Sequence, residues 1–176
     1  SFLDRGQLEL MNVAFVIGDE FVKAVENAVC LGQKDVAIAL AGICFEQITN
    51  EFYHKILLNK YELSNREYSS CMKGISIKDK LTWLYKLTTS RCMEPSIVSD
   101  IHKVCSFRNS IVHYKPKVEK VGEWGEDEDN SDEEYDISKL IPLIEKVREI
   151  FNEDMDILFP EEKTSKEIFR KIFRKN

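Results

Sequence analysis

The chain has 176 residues, 43% hydrophobic and 32% charged, with a formal net charge of −6. That length suffices for one domain with its own core, and no run approaches the roughly 18 uncharged apolar residues of a membrane span. Nothing near the start pairs a basic region with an apolar one, so a cytoplasmic protein without membrane attachment is expected. It opens on Ser1 rather than methionine, which leaves open a processed chain or a piece of a longer one.

The charge is unevenly spread. Residues 123 to 136, EWGEDEDNSDEEYD, hold nine acidic and no basic side chains; setting those nine aside leaves +3 on the rest. The global acidity therefore does not exclude an anionic partner. The five cysteines, Cys30, Cys44, Cys71, Cys92 and Cys105, are odd in number and too widely separated for a zinc motif. They are expected to be mostly buried small hydrophobes in a reducing compartment.

Few glycines and prolines and long apolar patterns of 3.6-residue period predict an all-α chain. The first helix is expected over about 7–30, with Leu10, Val13, Ala14, Ile17, Phe21, Ala24 and Ala28 on one face and Gly32 as its stop. A second runs over about 34–60. From Val36 to Phe45 it is apolar almost all round, which predicts the central helix. Residues 61–74 read as polar and irregular. Ser76-Ile-Lys-Asp79 then resembles a capping box opening a helix through Leu81, Trp83, Leu84 and Leu87, ending near Thr89.

A fourth helix begins at Glu94-Pro95, where proline is tolerated, and extends to about Tyr114, before Pro116. Ser138 is a candidate cap for a helix over 139–158, with Pro142 in its first turn. Thr164-Ser-Lys-Glu167 starts a short basic amphipathic segment, expected to dock on the bundle. The fold predicted is an up-and-down bundle of four to five helices over 1–160, with an acidic loop over 117–136 and a short C-terminal helix over 161–176.

One stretch stands apart. In FRNSIVHYKP, residues 107–116, helical phase places Arg108 within an apolar stripe of Ile97, Ile101, Val104, Cys105, Ile111 and Val112. Arginine does not shed its charge, and burying it unpaired costs several kcal/mol, so it needs a carboxylate, an interface or a cleft. Glu46 on the central helix is a candidate partner. Asn109 and His113, four residues apart, share a flank of the same helix. A helix terminus satisfying its own polar groups explains the trio about as well as a site does.

Arg108-Asn109-Ser110-Ile111-Val112-His113 resembles the defining motif of the HEPN superfamily: arginine, a polar residue, three variable residues, histidine. The Asp79-Lys80-Leu81 helix and the apolar ALAGICFEQ segment are also similar to such domains. The resemblance covers about residues 5–160 in architecture and six residues in motif. It implies a metal-independent endoribonuclease, needing no cofactor, that acts as a homodimer with a composite active site. His113 would be the general acid/base, Arg108 the phosphate and transition-state stabiliser, and Asn109 the orienting residue. RNA would be cut to 2′,3′-cyclic phosphate ends in antiviral defence, toxin action or RNA processing, under a regulatory or antitoxin protein. A non-catalytic HEPN-like module binding RNA, nucleotide or a protein partner is the alternative. In one toxin branch a tyrosine two residues after the histidine is modified; here Tyr114 follows His113 directly and Lys115 takes the other place.

The remaining features point to less. His54 and His102 lack a second ligand at metal spacing. The acidic run has Asp132 where a calcium loop requires glycine. No phosphate-binding glycine loop, Gly-x-Ser-x-Gly elbow or Cys/His nucleophile arrangement is present.

Overall fold

In the computed structural model, residues 19–112 and 135–160 are described. They form a helical bundle, and no strand occurs among the described residues. We label the helices α1 (19–30), α2 (Lys34–Asn59), α3 (Asn65–Met72), α4 (77–89), α5 (Pro95–Val112) and α6 (Leu140–Leu158).

The turn from α1 to α2 is closed by Gly32. Its φ of 66° is the left-handed setting that glycine adopts without strain. The Gly32 N–H donates to the Val29 carbonyl at 3.0 Å and the Gln33 N–H to the Ala28 carbonyl at 2.9 Å, which satisfies the carbonyls that end a helix. The buried face of α1 is Val22, Val25 and Ala28, with Phe21 and Ala24 half-buried; the predicted face omitted the two valines.

Helix α2 is the central element, packing against α3, α5 and α6. It is not apolar in use all round: Ala37, Ile38, Ala41, Cys44, Phe45, Ile48, Phe52, Tyr53 and Ile56 are buried, whereas Val36 and Ile43 face solvent. Phe52 of α2 stacks on Phe151 of α6 with centroids 4.1 Å apart, and Tyr53 and Tyr85 surround the pair. Burying aromatic surface of this kind contributes about 1.5–3 kcal/mol per side chain. Asp154 lies inside this aromatic cluster, 1% exposed. It accepts from the Tyr85 hydroxyl and from Arg91 Nη1 at 2.5 Å, so its charge is met from two sides.

Residues read as irregular contain α3. Ser64 and Glu67 form a full capping box: the Ser64 N–H donates to Glu67 Oε2 at 2.8 Å and the Glu67 N–H to Ser64 Oγ at 3.3 Å. The helix is short and polar, with Met72 its buried side chain, so no apolar period announces it.

Helix α4 starts where the sequence places it, the Asp79 N–H donating to Ser76 Oγ at 3.1 Å. It is built in three pieces: Ile77–Asp79 and Tyr85–Thr89 are α-helical, and Lys80–Leu84 between them is π-helical. The Lys80 carbonyl accepts from the Tyr85 N–H five residues on and from the Tyr53 hydroxyl of α2. Trp83 and Leu87, expected on the packed face, are 50% and 67% exposed. The helix closes at Ser90, which has φ 61°.

Before α6, Asp136 rather than Ser138 does the capping. Its Oδ1 accepts from the Ser138 N–H at 3.0 Å across a 3₁₀ turn, Ile137–Lys139. Among the cysteines, Cys44 and Cys105 are buried, but Cys30, Cys71 and Cys92 are exposed, against the expectation that most were core. Among the described residues, no helix is long and apolar enough to cross a membrane. The acidic run up to residue 134 and the basic C-terminal segment lie outside the described residues.

Candidate functional site

Helices α2 and α5 cross closely because Gly42 has no side chain. A Cβ built there would lie 2.9 Å from Arg108 Cδ, 3.1 Å from its Cβ and 3.3 Å from its Cγ. The aliphatic stem of Arg108 therefore rests on the α2 backbone, which is how arginine fits into an otherwise apolar stripe. Ile97, Ile101, Val104 and Cys105 of that stripe are buried, and Ile111 is 37% exposed.

The guanidinium emerges one turn further along α2. Arg108 Nη1 donates to Glu46 Oε2 at 2.7 Å, with side-chain exposures of 19% and 41%. Arg108 Nε and Nη2 both donate to Asn109 Oδ1, at 3.2 and 2.9 Å. A guanidinium has five N–H donors. Three are engaged here, and two remain unclaimed among the described residues. The head group is held in a fixed orientation, neutralised in charge by one carboxylate, yet able to form the two-pronged contact that phosphate oxygens accept.

Asn109 and Glu46 also form one edge of a cleft of about 330 Å³ between α2, α4 and α5. Lys78 and Lys80 of α4 and His102 and Ser106 of α5 complete its polar lining. Burial pushes the Lys80 ammonium below its ordinary range, and the charge of Glu46 opposes that. Cys105, at the floor, is pushed up to about 11, mainly by burial, so it is a neutral thiol near pH 7.

The structure thus joins Arg108, Asn109 and Glu46 in one hydrogen-bonded group. His113 and Tyr114 lie outside the described residues. His102 is exposed at the cleft, whereas His54 is elsewhere, its ring 2.9 Å from Asn65 Oδ1 and edge-on to Tyr68. No group of side chains suited to holding a metal occurs among the described residues. Sequence reasoning missed Gly42, Lys78 and Lys80. A glycine inside a strongly apolar helix was a usable signal of close helix approach; the lysines carried none, since three distant segments make the cleft. Comparison with protein-family models, curated proteins and solved structures finds no match to this chain.

Proposed function

We propose that the chain is a HEPN-type, metal-independent endoribonuclease that cleaves RNA to 2′,3′-cyclic phosphate and 5′-hydroxyl ends. The observation that carries this reading is Arg108: fixed by Glu46 and Asn109 in the last turns of α5, with two donors unclaimed among the described residues, five residues before His113 in the sequence.

In this reading His113 removes the proton of a ribose 2′-hydroxyl, whose oxygen attacks the adjacent phosphorus. The P–O5′ bond breaks, and the leaving oxygen takes a proton from the imidazolium so formed, which restores His113. Arg108 stabilises the charge that builds on the non-bridging oxygens, and Asn109 and Glu46 keep its plane aligned. DNA lacks the nucleophile and is spared. A second copy across a two-fold axis supplies the other half of a composite site. Antiviral defence, toxin action or RNA processing in the cytoplasm, under a regulatory or antitoxin protein, are the settings such an activity serves.

A non-catalytic module binding RNA, nucleotide or a protein partner is favoured by one specific fact: Glu46 already neutralises Arg108. The deciding experiment is RNA cleavage in EDTA by the wild type and by His113→Ala, with the product ends identified. The nuclease reading expects cyclic phosphate ends from the wild type and none from a folded His113→Ala protein. Equal cleavage by both removes His113 from the mechanism, and cleavage by neither favours the binding module.

A further inference from the structure

The cleft beside the Arg108–Glu46 pair has chemistry of its own. On one wall, Lys80 is positioned at both ends. Its carbonyl accepts from Tyr53 of α2, and its Nζ donates to Asn50 Oδ1, also of α2, at 2.8 Å. An ammonium has three donors, and Lys80 forms no ion pair with a described carboxylate. Two of its donors are thus unclaimed among the described residues, in a half-buried setting where water competes less than at the surface. Lys78, exposed, adds a second cation at the same wall. The neighbouring Asp79 carboxylate is engaged by the Ser76 hydroxyl at 2.6 Å.

The opposite wall is a strip along α5. His102, Ser106 and Asn109 recur at spacings of four and three, which puts an imidazole, a hydroxyl and an amide on one face. Glu46 closes the end nearest Arg108; its Oε2 is taken by Arg108, and Oε1 is unclaimed among the described residues. Cations on one side, hydrogen-bonding groups on the other and a carboxylate acceptor at the end match a phosphate joined to a sugar and base. About 330 Å³ lies at the small end of ligand sites, enough for one nucleotide rather than a folded strand. The rare π-helical turn that begins at Lys80 points the same way, since such turns concentrate at functional sites.

We infer that the cleft between α2, α4 and α5 is a nucleotide subsite, in which Lys80 and Lys78 hold an RNA phosphate adjoining the one at Arg108. That the ligand is RNA rests on the function proposed above; retention of a phosphate by Lys80 does not require cleavage.

The test uses a short single-stranded RNA blocked with 2′-O-methyl groups, so that binding is read without turnover. Fluorescence anisotropy is measured over a series of salt concentrations for the wild type, Lys80→Met, Lys80→Arg, Lys86→Met and His113→Ala. Lys86 is exposed on α4 outside the cleft and controls for general surface charge. Lys80→Met is expected to weaken binding about tenfold, the worth of one charge-assisted hydrogen bond. It also lowers the slope of log affinity against log salt by about 0.7, one phosphate contact on a single strand. Lys80→Arg restores most of both, and thermal melting verifies that each variant is folded. Binding by Lys80→Met as tight and as salt-sensitive as the wild type overturns the subsite, as does equal weakening by Lys80→Met and Lys86→Met. Should His113→Ala cleave unblocked RNA like the wild type while Lys80→Met alone loses binding, the catalytic reading falls and the subsite stands.

Discussion

Gly42→Ala places one methyl group at the contact that seats Arg108. In a helix interior the exchange by itself stabilises by about 1 kcal/mol, because alanine restricts the unfolded chain and glycine does not. Against this stand contacts of 2.9 Å to Arg108 Cδ and 3.1 Å to its Cβ. The first is relieved by swinging the flexible chain away from α2. The second requires the α5 backbone to move, and overpacking of this sort costs about 1–3 kcal/mol. The net expectation is a loss of about 1 kcal/mol, or about 2–4 °C in Tm for a chain this long.

The swing also withdraws the guanidinium from Glu46. If the proposed nuclease function holds, RNA cleavage is expected to fall at least tenfold, since misplacing a catalytic group by about 1 Å can cost a hundredfold. A double-mutant cycle separates the two effects: in an Arg108→Ala background Cδ and Cγ are gone while Cβ remains, so Gly42→Ala keeps the cost of moving α5 and sheds only that of displacing the side chain, a coupling of about 0.5 kcal/mol. Urea denaturation of the four proteins gives the coupling. If Gly42→Ala stabilises both backgrounds equally, the crossing at Gly42 does not seat Arg108.

Asp154→Asn puts an amide where two donors converge, so that either Tyr85 or Arg91 faces an N–H; the expected loss is about 3 kcal/mol by urea denaturation, and a loss below about 1 kcal/mol would show that the pair is not coupled to folding. A thiol reagent should modify three cysteines quickly, Cys30, Cys71 and Cys92, and reach Cys44 and Cys105 on unfolding; five equal rates would contradict the burial. Burial raises both internal thiols from 9.0 to about 11, so the folded chain keeps protons that the unfolded chain releases. Their contribution is complete below pH 9 and is lost as pH rises to about 11, so unfolding free energy measured across that window should fall, and a flat profile would contradict it.

The helices legible in the sequence are those whose ends carry local chemistry. Gly32, Ser76 and Pro95 mark boundaries because a positive φ, a side-chain cap and a missing N–H act within a few residues. Helix α3 carried an equally local signal, Ser64 with Glu67 three residues on, but without an apolar stripe nothing prompted the reading. The π-helical turn has no such signature. Its first carbonyl, that of Lys80, is met by Tyr53 from another helix, a contact no local pattern announces. Within the site, phase singled out Arg108 as anomalous, and charge alone nominated Glu46. What phase leaves undetermined is how a long cation sits in an apolar stripe, because the answer is on the facing helix, in the atoms Gly42 lacks. The exposures of Trp83, Leu87 and Ile111 show the same limit, since periodicity gives a face and only the neighbours decide how much of it is covered.

In an α-helix the N–H that meets the Lys80 carbonyl would belong to Leu84; in α4 it belongs to Tyr85. The helix therefore carries one residue more than the spacing of its two ends requires, and Trp83, with half its surface in solvent, lies within the excess. Elsewhere in a helix, removing a residue swings everything after it by about 100°. Here the turn tightens to ordinary pitch, with Lys80 still toward the cleft and Tyr85 still toward Asp154. The chain length between these two residues is thus free to vary by one, and a single-residue gap at this point in an aligned relative would be neutral for both.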